Sequence, residues 1–207
     1  MSYTLHQTEG IVFAMWPRSE ADRLFRLYTE HYGSVTLVAK GVRLEKSKLR
    51  GDMELFSKTS IGFVAGKEIY RLTHAQVTDT YVRIREDYDR YRTVGFIADM
   101  MRSGIADGEQ DAHLWNLLGE AFAFLNSEGY ARDYLQSFLC TFELRFFRCL
   151  GYLPQQIPRA AEELLAADAF LPDRVFTSSN LQELSVFLQS IRRYTAINGG
   201  YELKIPR

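Results

Sequence analysis

The chain has 207 residues, 46% of them hydrophobic and 25% charged, with a formal net charge of -1. That length and apolar fraction are enough for a real core and exclude an intrinsically disordered chain. No apolar run approaches the roughly 20 residues a membrane-spanning helix needs, and MSYTLHQTEG has neither the basic segment nor the apolar stretch of a secretory leader, so a soluble, intracellular protein of one or two compact domains is expected.

Along the first 80 residues, apolar positions alternate or cluster with β-branched and aromatic types from Thr8 to about Ala14, Ser34 to Lys40, Leu55 to Val64 and Glu68 to Val77. This is the pattern of half-buried strands, and Gly33-Ser34, Gly51-Asp52 and Gly66-Lys67 fall between them as turns. The segment Ser19 to Tyr32 carries two signals. Ser19 with Asp22 three residues on, Leu24, Leu27 and Tyr28 at helical offsets and a terminal Gly33 suit a helix, whereas the alternation of Phe25, Leu27 and Thr29 against Leu24, Arg26 and Tyr28 suits a strand. A five-stranded antiparallel barrel needs this segment as its second strand, and it is assigned so.

After Thr80 the period changes to three and four. Ile84, Tyr88, Tyr91, Gly95 and Ala98 form one helical stripe, Leu114, Leu117, Leu118, Ala121 and Leu125 a second, and Leu135, Phe138, Leu139, Phe142, Phe146 and Cys149 a third. Asp107-Gly108 and Ser127-Glu128-Gly129 punctuate them, which makes the helices antiparallel neighbours. Between Leu150 and Ser179, Pro154, Pro158 and Pro172 enclose a short helical piece, AAEELLAAD. Ser179 with Gln182 then opens a last helix along Leu184, Leu188 and Ile191, which Asn198-Gly199-Gly200 ends. The reading is therefore α+β: a barrel domain over residues 1–80 and an α-helical domain over 81–207, with a connecting region at about 151–179 and the two parts packed together.

The densest chemical signal is AKGVRLEKSKLRG. Lys40, Arg43, Lys46, Lys48 and Arg50 place five cations in eleven residues against the single acid Glu45. Residues 1–80 hold 11 Lys+Arg and 9 Asp+Glu, and residues 81–207 hold 14 and 17, so the overall charge asymmetry is slight and the local cluster carries the argument. Bracketed by Gly41 and Gly51, it reads as a basic loop projecting from a small sheet and able to follow a phosphate backbone; the plainer alternative is a solvated loop. A small antiparallel barrel with such a loop suggests an oligonucleotide-binding (OB) fold, in which cations track phosphates and aromatic rings stack on bases. Phe13, Trp16, Tyr28 and Tyr32 are the candidate rings, and Arg26 joins Trp16, Tyr28 and the five loop cations as the predicted DNA-binding set.

Catalytic signatures are missing. The sequence has no glycine-rich phosphate cradle and no Gly-x-Ser-x-Gly elbow, and His6, His31, His74 and His113 lack partners at ligand spacing. Glu86, Asp87 and Asp89 suit a helix N-terminus, where the dipole favours acids. Cys140 and Cys149, nine residues apart at roughly 100° each, fall on opposite sides of one helix and read as buried thiols.

Four consecutive blocks resemble the RecO family of bacterial recombination-mediator and DNA-repair proteins: TEGIVFA, EADRLFRLYTEHYGSVTLVAKGVRLEKSKLRG, EIYRLTHAQVTDTYVRIREDYDRYRTVGFIADM and FELRFFRCLGYLP. Together they span about residues 8 to 154. Lys40-Gly41-x-Arg43 followed by Ser47-Lys48 looks like the family's AKG-R-KS signature. The resemblance favours strand over helix at Ala21 to Thr29. It implies a cytoplasmic, nucleoid-associated protein that binds single- and double-stranded DNA, promotes annealing, and cooperates with RecR and single-strand-binding protein to load the RecA recombinase. Many family members carry a four-cysteine zinc site after the position of Pro154; IPRAAEELLAADAFLPDRVF has no cysteine, so neither zinc nor any other cofactor is expected. No residue is assigned to a pocket for the tail of single-strand-binding protein.

The reading that unites these signals is a non-catalytic DNA adaptor. A second is a protein-interaction scaffold with weak DNA affinity, motivated by Leu144 and Phe147, which lie off the apolar stripe of FLCTFELRFFRCLGY. The third is an enzyme in which Glu54, Asp79 and Asp87 converge on Mg²⁺.

Overall fold

The computed structural model describes residues 4–49, 51–66, 69–129, 134–167, 170 and 178–199. Five strands come first: β1 Leu5–Pro17, β2 Arg23–Thr29, β3 Gly33–Ala39, β4 Lys58–Val64 and β5 Tyr70–Asp79. Six helices follow: α1 Val82–Glu86, α2 Tyr88–Gly104, α3 Ala112–Leu125, α4 Tyr134–Cys149, α5 Arg159–Leu165 and α6 Ser178–Gly199. The segment that carried both helical and strand signals is strand β2. The chain divides into two compact units, one of residues 1–81 with 98–112, the other of 82–97 with 113–207.

The strands close into a barrel in the order β1-β2-β3-β5-β4. A 13-residue β1 makes closure possible by serving two neighbours: Leu5 to Ile11 pair with β4, and Gly10 to Pro17 pair with β2. A bulge between Val12 and Ala14 turns the strand from one partner toward the other. The last seam is parallel and short, with β3 meeting β5 only at Leu37↔Tyr70 and Val38↔Arg71. Alternation fills the inside: Phe25 and Leu27, Val35, Leu37 and Ala39, Ile61 and Phe63, and Leu72 with Ala75 form one buried cluster. Each fully buried large side chain there contributes about 1.5–3 kcal/mol relative to exposure.

The 40–57 connection is not a free projection from the sheet. Val42 and Met53 enter the barrel core, with Leu49 and Leu55 packed beside them, so apolar residues plug this end and leave Arg43, Lys46 and Lys48 outside. Phe56 donates its N–H to Val12 O at 2.8 Å and Val12 returns one to Ser57 O at 3.1 Å, which ties the end of the connection to β1.

After the strands, α1 and α2 are separate helices where the sequence pattern reads as one. Asp87 interrupts them because its Oδ1 accepts the N–H groups of Asp89 and Arg90 at 2.9 and 3.0 Å, capping α2. Helix α4 is buried on nearly all sides. Leu144 and Phe147, off the main stripe, are 0% and 1% exposed, so core packing accounts for both and the scaffold reading loses the feature that motivated it. Phe138 of α4 stacks on Phe124 of α3 at 5.2 Å, and α4 also packs against α5 and α6.

Candidate nucleic-acid interface

Strand register decides which side chains meet at the plugged end. Trp16 pairs with Leu24, Leu24 with Val38, and Val38 with Arg71, which sets one row across four strands on the face opposite Phe25 and Leu37. At about 4.8 Å per strand, Trp16 and Arg71 stand some ~14 Å apart. Trp16 is 36% exposed and Arg71 is exposed. Beyond this row β3 runs into Lys40 and the basic connection.

The connection is held in shape by local bonds. Gly41 adopts φ +66°, the left-handed turn that a residue without Cβ enters at little cost, and donates its N–H to Asp22 Oδ1 at 2.8 Å. Arg43 N donates to Ala21 O at 3.1 Å, Leu44 N to Gly41 O and Ser47 N to Leu44 O, both at 3.0 Å. The 40–48 turn is thereby stitched to the β1–β2 turn, which brings Arg18 to the same end. Lys40, Arg43, Lys46 and Lys48 are all exposed, and none of the four joins a salt bridge among the described residues. Arg43 Nη1 reaches only the backbone O of Ser19, at 3.4 Å. Arg50 lies outside the described residues.

Solvated cations on an ordered turn, with an indole at their side, are suited to phosphates and an unpaired base. Sequence reasoning omitted Arg71, because only the parallel β3–β5 pairing brings it into the row. It also omitted Arg18, which the β1–β2 turn carries.

Two predicted contacts are corrected. Tyr28 is 1% exposed, and its hydroxyl donates to Asp111 O at 3.2 Å and accepts from Asp111 N at 2.9 Å, so it presents no ring face to a base. Arg26 donates from Nη2 to Ile105 O at 2.9 Å and from Nε to Ser34 Oγ at 3.2 Å, and pairs with Asp107 at 3.1 Å, so its guanidinium is committed within the protein. The cause is common to both: the 98–112 segment lies over the outer surface of β2 and β3 that carries them. Phe13, 6% exposed, is covered as well and lines a small cavity with Met101. Tyr32 sits at the other end of the barrel, edge-on to Phe63 at 5.3 Å.

Two of the three acids considered for catalysis have structural roles. Asp79 accepts the N–H of Tyr81 at 2.7 Å, and Asp87 caps α2. In the helical unit, burial pushes the Glu143 carboxyl above its ordinary range while the Arg192 guanidinium, bonded to both its oxygens, pulls it back. Burial likewise raises the Cys140 thiol to about 11, which leaves it protonated and unreactive at neutral pH.

Comparison with known proteins bears on this site directly. The family model described as Recombination protein O N terminal matches residues 1–81, the strands and the basic connection together. A protein named DNA repair protein RecO from Alkaliphilus metalliredigens is 26% identical over 150 residues, covering 72% of this chain and 60% of the relative. Its namesake from Gloeothece citriformis is 30% identical over 115 residues, covering 56% and 41%. That from a Roseiflexus species is 29% identical over 157 residues, covering 76% and 54%. The chain thus spans three fifths or less of the length of these curated relatives.

Proposed function

We propose, from its similarity to the RecO family, that this chain is a non-catalytic DNA-binding mediator of recombination in DNA repair, acting in the cytoplasm on nucleoid DNA. In this reading the barrel is an OB-fold DNA-binding domain. Lys40, Arg43, Lys46 and Lys48, with Arg18 and Arg71 beside them, neutralise phosphates together with Arg50, and Trp16 stacks on an unpaired base. Holding a single strand by its backbone leaves base edges available for a complementary strand, which is the requirement for annealing. The helical domain is the part assigned to partner proteins, RecR and single-strand-binding protein, through which RecA is loaded. No covalent step is involved.

The observation that carries this reading is the ordered, exposed cluster of four loop cations without salt bridges among the described residues, on the barrel that the family model matches. Fluorescence anisotropy with a labelled single-stranded oligonucleotide at two salt concentrations tests it. Four phosphate contacts at a logarithmic slope of about 0.7 each weaken binding roughly fiftyfold between about 50 and about 200 mM salt. Salt-insensitive binding, or none at low salt, refutes the assignment.

A further inference from the structure

The basic connection treats its apolar side chains unequally. Val42, Met53 and Phe56 are buried, and Leu49 and Leu55 pack against the barrel core, but Leu44 is 58% exposed. It is the one large apolar side chain exposed among the described residues of 40–57. Arg43 precedes it and Lys46 follows two positions on, both exposed and neither in a salt bridge among the described residues.

The backbone of Leu44 is fixed on both sides. Its N–H donates to Gly41 O at 3.0 Å and its carbonyl accepts the Ser47 N–H at 3.0 Å, so one tight turn ends and the next begins at this residue. The side chain is offered from an ordered position, with its Cδ1 close over Gly41, where an added Cβ would stand 3.4 Å from it. Leucine adds nothing to charge neutralisation. What an apolar side chain can do among phosphate-holding cations is insert between stacked bases, at the cost of unstacking them. A base pair inside a duplex is stacked on both faces, whereas the last pair before a single strand has one face weakly covered. An apolar wedge therefore enters at least cost where a duplex gives way to a single strand.

We propose that Leu44 is such a wedge, and that this end of the barrel favours a junction between duplex and single strand over an uninterrupted single strand. The wedge rests on the DNA-binding reading of the same rim, in which Arg43 and Lys46 hold phosphates and Trp16 takes an unpaired base; it names the form of DNA that the rim selects.

The test uses the full chain and a duplex that continues as a single-stranded overhang, with the fluorescent base 2-aminopurine in the last pair. Its emission should rise about threefold on binding as the base leaves the stack, and should stay level when the same base sits at the duplex centre. Leu44→Ala should abolish the rise and lower junction affinity roughly fivefold, with single-strand affinity unchanged within about twofold. Leu44→Met keeps an apolar side chain of similar reach and should retain both properties. Leu44→Gln has that reach without the apolar surface; it should behave as Leu44→Ala does, and it replaces that variant should Leu44→Ala fail to fold. Single-strand binding with neither a rise nor a preference at the junction overturns the wedge and leaves the DNA-binding reading standing. A rise that persists in Leu44→Ala or Leu44→Gln overturns the assignment to Leu44. Failure to bind any oligonucleotide overturns both readings.

Discussion

The two ends of the barrel are closed by the same five strands yet are plugged in different ways. At one end an 18-residue connection, residues 40–57, dips Val42 and Met53 into the core and leaves Lys40, Arg43, Lys46 and Lys48 in water. At the other, a tight β2–β3 turn is clamped by the backbone of residues 107–110, and His31, Tyr32, Tyr70 and Asp107 are among the residues beside it. The difference teaches that strand pairing fixes the cylinder but not the function of its rims. What plugs each end, and whether the plug is made by side chains or by backbone, decides which charges remain free.

The largest expected effect is a test of the cationic rim. Changing Lys40, Arg43, Lys46 and Lys48 together to Glu should lower single-strand affinity about a thousandfold or more, because four attractions become four repulsions. Thermal unfolding should stay close to wild type, since all four side chains are exposed and none joins a salt bridge among the described residues. Anisotropy and circular dichroism on one preparation read both quantities. Affinity that survives the reversal would move the interface elsewhere.

Next in size is a test of the clamp. Gly33 has φ +61°, and a Cβ placed on it would stand 2.1 Å from Glu109 O, against rigid backbone. Gly41, at the other end, has a similar φ of +66°, but its Cβ would meet only Leu44 Cδ1 at 3.4 Å. Gly33→Ala should therefore cost about 3 kcal/mol in urea unfolding and Gly41→Ala about 1 kcal/mol. Equal losses would mean that the two rims are closed in the same way after all.

That asymmetry also marks how far the sequence was legible. The five strands could be read because one-sided burial imposes a period of two, and β2 could be assigned because a closed barrel requires a strand between β1 and β3. The cations of the connection were visible as a cluster, but Val42 and Met53 were not visible as plugs, since isolated apolar residues in a polar stretch carry no period. Tyr28 and Arg26 were misjudged for a different reason. The groups that cover them, Asp111 and Ile105, lie 83 and 79 positions away, and local pattern says nothing about which distant segment will lie over a strand. Leu144 and Phe147 belong to the same class: a helix packed on several sides buries residues that its main stripe excludes.

The contrast between a free ring and a covered one gives a smaller effect. Trp16→Ala should reduce oligonucleotide affinity roughly tenfold by removing one stacking contact, with little change in stability. Tyr28→Phe should do the reverse: unchanged DNA affinity, and about 1 kcal/mol lost in unfolding because Asp111 N–H forfeits its acceptor. Anisotropy and urea titration of both variants complete the comparison, and a DNA defect in Tyr28→Phe would return that ring to the interface.

The smallest effect separates charge from shape at the cationic rim. Asp22 is an acid among cations, so on charge alone its removal should strengthen DNA binding slightly, by a few tenths of a kcal/mol for a partly exposed group. Its Oδ1, however, holds the N–H of Gly41 and with it the turn that presents Lys40 and Arg43. Loss of that bond should cost about 1 kcal/mol of local order, which the loop must recover on binding. The second effect is the larger, so Asp22→Ala should weaken affinity twofold to threefold despite the gain in net positive charge. Asp22→Asn keeps an acceptor and loses the charge; its affinity should equal or slightly exceed wild type. If both variants bind more tightly, the rim acts as an unstructured cloud of charge and the ordering of its turn is irrelevant to binding.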